Sequence, residues 1–223
     1  MKIVEPCIVV EKFDGIRIMK RIERACRTCY RSEGKITEDS YKKLLANCIN
    51  RGHESVMEHE KITIQMVCDI GVYKDLTRHR AGTAFSIEST RYCSYDKDKF
   101  GSEIKFMKPF HIEGELFDIW KESCEQIEKQ YIKMGNAGAK PDQLRMILPH
   151  STAALVTMTC NIREWRHIFS LRAQKMTHPT VQQVMIPLLR YFQKEMPDLF
   201  SDIPYNEEFN EKDYAKIEVL PEV

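Results

Sequence analysis

The spacing of apolar positions divides the chain into short β segments separated by amphipathic helices. KIVEPCIVV at 2–10 reads as a strand whose Pro6 suits an edge or a bulge, because proline lacks the N–H that a ladder uses. Asp14-Gly15 marks a turn, and a helix is predicted over 16–31 with Ile18, Ile22, Cys26 and Cys29 on one face. Thr37 is placed to cap a second helix, with Tyr41, Leu44, Leu45, Cys48 and Ile49 at helical spacing and Arg51-Gly52 ending it. In KITIQMVCDI, Ile62, Ile64, Met66 and Cys68 alternate with Lys61, Thr63, Gln65 and Val67, a strand with one apolar face. Gly71 breaks it, and VYKDLTRHR reads as a short helix.

Downstream, DKDKFGSEIKFMKP reads as loop and strand. A long helix is predicted over 113–135, turning Leu116, Ile119, Trp120, Ile127 and Tyr131 inward. NAGAK at 136–140 is a flexible turn, and Pro141 opens another helix at its first position. STAALVTMTC at 151–160 is β-branched and apolar, a candidate strand, and helices follow over 161–176 and 179–196. The tail, 201–223, is acidic and irregular. Without repeats or a linker, the expected architecture is α/β (α+β): one domain over 1–223, with a mixed sheet and several long helices.

Charge and composition narrow the function classes. The net charge of +1 gives no overall basic field for nucleic acid. No apolar run approaches the roughly 20 residues that span a bilayer. The N-terminus has too short an apolar run for a secretory signal, so the cytoplasm is the expected compartment. Eight scattered cysteines offer one C-x-x-C, at Cys26 and Cys29, and no second pair to complete a zinc site; the thiols read as small buried hydrophobes. No metal is expected, since no H-x-x-x-H pair falls on a helix.

The unusual chemistry lies in RHRAGTAFSIESTRYCSY at 78–95. Three successive residues, Arg78, His79 and Arg80, fan out around a helix end and suit a group approached from several sides. Basic side chains at a helix C-terminus would explain one of these arginines, but not Ser89-Thr90-Arg91-Tyr92 as well. In NIREWRHIFSLRAQKM, Asn161 is the N-cap and Ile162, Trp165, Ile168 and Phe169 form an apolar arc. Arg163, His167 and Ser170 lie opposite. Arg172 falls on the apolar side and must either snorkel to the surface near the helix C-terminus or find a carbonyl or anionic partner, a ligand or an internal one. Arg145, one turn past a proline start, is either solvated or part of a site. His53 and Ser55 follow the helix-ending glycine, in a loop suited to binding groups.

RHR followed by a Ser-x-Arg-Tyr cluster resembles the signature of flavin-dependent thymidylate synthases. GHESVMEH at 52–59, LRMILP with Arg145 and NIREWRHIFSLR at 161–172 agree with that family in the same order, so the resemblance covers about 40–195. One departure stands out. AGTAFSIE supplies eight residues between RHR and the serine where the family has seven, and Ile87 takes a position usually held by Glu or Gln.

The resemblance implies methylation of dUMP to dTMP, with methylenetetrahydrofolate giving the carbon and FAD carrying hydride after reduction by NADPH. It implies a homotetramer with sites built from several subunits. By position, Ser55, Arg78, His79, Arg80, Asn161, Arg163 and His167 would face flavin, and His53 would lie near flavin and folate. Asp75, Glu88, Ser89, Thr90, Arg91, Arg145 and Arg172 would hold the nucleotide, with Arg172 stabilising charge on the ring. Two other readings remain. One is a relative that binds flavin and nucleotide with little turnover. The other is a non-catalytic nucleotide or RNA module using Tyr92 and Tyr95 as stacking groups.

Overall fold

The computed structural model describes residues 1–92, 95 and 103–221. Pro6 divides the first β segment in two. β1, Lys2–Val4, pairs in parallel with β5, Lys105–Met107, whereas β2, Cys7–Glu11, enters the main sheet. With no N–H to donate, Pro6 sits at the switch between the two ladders.

The main sheet also contains β3 (Lys61–Asp69), β4 (Thr83–Ile87), β6 (Ala153–Asn161) and β7 (Lys216–Leu220), in the order β4-β6-β3-β2-β7. All its pairings are antiparallel except β2 with β7, so the sheet is mixed. Alternation decides its two faces. Ile62, Ile64, Met66 and Cys68 are buried with Val156, Met158 and Cys160. Thr63, Gln65, Thr157 and Thr159 face the other way and bond one another across the β3–β6 ladder, Thr63 Oγ1 to Thr159 Oγ1 at 2.8 Å. An antiparallel sheet with one wet face gives this pattern.

The apolar face is covered by α1 (Gly15–Thr28), α2 (Ser40–Asn50), α6 (Ile162–Arg172) and α7 (Pro179–Glu195), which share one core with it. Val181 to Leu189 of α7 are all buried, which makes it the central helix of this layer. A smaller cluster joins Phe106 of β5 to Cys124 and Tyr131 of α4 (Glu115–Asn136) and Leu144 of α5 (Pro141–Leu144). The chain is completed by α3 (Ile70–Leu76) and α8 (Pro197–Phe200). No helix of the described residues is long and apolar enough to cross a membrane.

Several expectations are corrected. The first helix ends at Thr28, and Cys29 is exposed while Cys26 is buried against Cys48, the sulfurs 3.5 Å apart. Asp39, not Thr37, precedes α2; Thr37 donates its N–H to Ser40 Oγ instead. Leu116 and Ile119 of α4 are exposed, because only the stripe through Cys124 and Tyr131 meets the small core. The helix expected over 161–176 stops at Arg172. AGTAFSIE holds β4, and the tail holds β7. Both are edge strands whose outer residues are polar or half-exposed, so neither carries a clear apolar period. Most of the predicted loop before β5, Cys93 included, lies outside the described residues.

Candidate active site

The strand ends create the site. β3 and β6 are antiparallel, and each passes directly into a helix capped by its own last residue. Asp69 Oδ1 accepts the Val72 N–H at 2.7 Å to start α3, and Asn161 Oδ1 accepts the Glu164 N–H at 2.8 Å to start α6. α3 packs back against β3, β6 and α7, and the Asn161 N–H meets the Gly82 carbonyl, so residues 78–82 arrive beside the N-terminus of α6, where β4 begins.

Asn161-x-x-Glu164 has the spacing of a capping box, in which the acidic side chain returns to the cap's own N–H. Here that N–H is taken by the Gly82 carbonyl at 3.2 Å. Gly82 has φ +66°, and a Cβ on it would lie 2.0 Å from Asn161 Nδ2. Only glycine permits this approach. The Glu164 carboxylate is thereby left for another partner, and its Oε1 lies 3.1 Å from His79 Nδ1, both side chains buried.

His79 is bonded on both nitrogens. Arg172 Nε donates to His79 Nε2 at 3.0 Å, and Arg172 Nη2 donates to the Asp75 carbonyl at 3.0 Å. A guanidinium has no acceptor, so Nε2 must supply a lone pair and Nδ1 carries the proton toward Glu164. Burial, with the charges of Arg172 and His167, depresses the His79 pKa to about 4, so this is a neutral imidazole donating to a carboxylate. Burial raises the Glu164 carboxyl above its ordinary value. His167 meets His79 edge to face, with ring centres 5.6 Å apart. Ligand atoms of His79, Glu164 and His167 lie within 4.8 Å of one another. With both His79 nitrogens committed, a cation could bind there only by displacing Arg172 or the Nδ1 proton.

A groove of about 450 Å³ runs past this cluster, lined by Glu54, Glu58, Gly82, Asn161, Arg163 and His167 among others. Arg163 is exposed and bonds Glu58 at 2.5 Å. Ser55 opens the 3₁₀ segment Ser55–His59 that carries Glu58, and it is exposed, as is His53. His53 is anchored through its N–H to the Cys48 carbonyl at 2.8 Å, behind Gly52 at φ +67°. A second cavity, about 410 Å³, lies on the flank of α3 among Lys74, Asp75, Arg78, His111, Trp120 and His178.

The chain therefore brings together Asp75, His79, Asn161, Arg163, His167 and Arg172. Arg78 and Arg80 flank His79 in the chain and are exposed, and Arg78 lines the second cavity. Other expected residues stand apart. Glu88 accepts the Tyr95 hydroxyl at 3.1 Å, and Ser89 and Tyr92 form a turn. The Arg91 guanidinium lies 5.6 Å from the Tyr92 ring centre, and Arg145 is exposed in the 3₁₀ turn Arg145–Ile147. Among the described residues, neither arginine bonds to His79 or Arg172. Reading the sequence by residue type misses Glu164, which the capping-box spacing marks, and Arg166. It also misses His111 and His178, which no spacing joins.

Residues 16–198 match the model of the family described as thymidylate synthase complementing protein. A flavin-dependent thymidylate synthase of Pyrococcus abyssi is 27% identical over 161 residues, 72% of this chain and 66% of that protein. A probable flavin-dependent thymidylate synthase of Mycobacterium phage L5 is 27% identical over 195 residues, 82% of this chain and 79% of that protein. The chain thus spans about two thirds of the length of the Pyrococcus relative. A UMP/dUMP methylase, PolB of Streptomyces cacaoi, crystallised with 5-Br dUMP, superposes with a TM-score of 0.73 at 20% identity over 90% of this chain and 96% of its own, and so has the same fold. By the match over 16–198, the chain belongs to the thymidylate synthase complementing protein family, as its flavin-dependent relatives indicate.

Proposed function

We propose that the protein is a flavin-dependent thymidylate synthase. It would methylate dUMP to dTMP, with methylenetetrahydrofolate as carbon donor and NADPH as reductant. The observation that carries this reading is the setting of Arg172. Its guanidinium sits half-buried with a neutral imidazole and a backbone carbonyl as its partners, so its charge remains available to a ligand. A chain matching the family over 16–198 places that arginine at the end of α6.

The donor set fits FAD. Arg163 lines the groove as an exposed cation that suits a pyrophosphate, with Asn161 and His167 as polar groups beside it. Arg78 and Arg80, exposed on either side of His79 in the chain, add cations, and His53 and Ser55 are exposed polar groups next to Glu54 of the groove wall. Reduced FAD, when bound, supplies the hydride. Arg172 stabilises negative charge on the N3/O2 side of the uracil ring. His79 stays neutral beside it, so no second cation competes for that charge. Asp75, Glu88, Ser89 and Thr90 would hold the nucleotide, with Arg91 and Arg145 as forks for its phosphate. Arg91 and Arg145 do not reach Arg172 within this chain, which favours a site completed across subunits of a homotetramer. The whole of 1–223 would act as one cytoplasmic catalytic unit.

The test is absorbance followed by turnover. The purified protein is expected to show a flavin spectrum and to oxidise NADPH in a dUMP-dependent way while forming dTMP. A colourless protein that takes up no added FAD would sink the reading. A relative with little turnover is the second reading, favoured by Ile87, whose side chain turns toward the core from β4. Flavin and dUMP binding without dTMP would select it. The RNA-binding alternative loses one of its two stacking groups, because Tyr95 is 7% exposed within the small core.

A further inference from the structure

We infer that Glu164 is a positioning residue for Arg172, acting through the tautomer of His79. The chain of contacts is continuous. The Gly82 carbonyl takes the Asn161 N–H, which frees the Glu164 carboxylate from the capping role its spacing offers. That carboxylate accepts the proton of His79 Nδ1 at 3.1 Å. Nε2 is left with a lone pair, and Arg172 Nε donates to it at 3.0 Å. Arg172 is then fixed at two points, the imidazole and the Asp75 carbonyl.

The alternative tautomer cannot do this. A proton on Nε2 would face the Arg172 N–H, donor against donor, and Nδ1 would present a lone pair to a carboxylate. Both contacts would become repulsive, and His79 is too buried for water to replace them. Glu164 thus sets where the Arg172 charge points, without itself facing the nucleotide. A helix-stabilising role alone would need no such partner. Acidic residues in a first turn already gain from the helix dipole while exposed, yet this one is buried.

As a statement about a catalytic site, this inference rests on the proposed function, but its first test does not. Selective ¹⁵N labelling of histidine, read by NMR in the ligand-free protein, reports the proton position of His79. The wild type is expected to show the Nδ1–H form, and an Nε2–H form would overturn the inference before any variant is made. Glu164→Gln keeps an acceptor oxygen and is expected to keep the Nδ1–H form, with dUMP affinity by calorimetry within a factor of about three of wild type. Glu164→Leu removes the acceptor; it is expected to shift the proton toward Nε2 and to weaken dUMP binding by about tenfold or more while bound flavin remains. An unchanged tautomer in a folded Glu164→Leu protein would overturn the inference. If that variant does not fold, the wild-type and Glu164→Gln spectra decide. Absence of dTMP formation in the wild type would count against the proposed function and leave the tautomer result standing.

Discussion

Three arginines on α6 show how one helix separates stability from ligand binding. Arg166 is buried and saturated with anions. It donates to Glu54 at 3.2 Å and to both oxygens of Asp202, at 2.8 and 2.7 Å, and also bonds the Leu199 carbonyl. Those bonds hold the Asp202 carboxyl below its usual value. Arg172, six residues on, has neutral partners. Arg163, three residues before Arg166, is exposed with one surface carboxylate, Glu58. A buried guanidinium already neutralised by its own chain has little left for a ligand, whereas one steered by dipoles keeps its charge.

The comparison breaks most visibly at Arg172. Arg172→Ala is expected to lower dTMP formation by about 10²- to 10³-fold, the usual cost of losing one preorganised donor. Flavin absorbance should persist, and the loss of stability should not exceed the roughly 1–3 kcal/mol of leaving the buried His79 Nε2 without a donor. Equal activity in the variant would remove Arg172 from its role.

Arg166→Met should invert that result. Removing the guanidinium leaves Glu54 and Asp202 facing a partly buried space. Because both carboxylates keep access to water, the cost is expected below the 3–5 kcal/mol of a fully buried pair, at roughly 2–3 kcal/mol. Urea unfolding measures it. Activity per folded molecule should stay near wild type, and a specific loss of turnover without a loss of stability would contradict the division.

The acid side of the stability curve offers a third test, through His79. Its folded pKa, about 4, lies below the 6.5 of an ordinary histidine, so between those values the unfolded chain binds the extra proton. The contribution is complete above pH 6.5 and is lost as pH falls toward 4. The difference corresponds to at most roughly 3 kcal/mol. Glu164, raised by burial, acts with the opposite sign above the ordinary carboxylate value. The difference between wild type and His79→Asn therefore isolates the imidazole: the wild type should show the steeper loss over that window, and parallel curves would mean that His79 titrates normally.

The strands and helices with one clean apolar face, β3, α1, α2 and α6, were legible in the sequence because burial on one side imposes a period. β4 and β7 were not, since an edge strand with half-exposed residues carries no such period. The Asn161 cap and the Arg163–His167–Ser170 side of α6 were legible from helix geometry, and so was the need of Arg172 for a polar partner, a ligand or an internal one. Which partner was not, because His79 is 93 residues away in the chain. Leu116 and Ile119 show the reverse error: apolar spacing on α4 predicts a buried face, but the core beneath that helix is too small to cover both.

Arg163 gives the smallest expected effect and the finest test of the comparison. Its contact with Glu58 lies in solvent, where such pairs contribute under about 1 kcal/mol, so Arg163→Ala should leave the unfolding midpoint almost unmoved. Yet Arg163 lines the groove beside Asn161 and His167, where the proposed function puts the flavin. Loss of one cation there should weaken FAD retention, with an increased sensitivity to salt, because the remaining exposed arginines are screened by ions. The measurement is flavin released per protomer during dialysis at low and moderate ionic strength. Unchanged retention at both would place Arg163 with the ordinary surface charges and leave only two functional classes of arginine on α6.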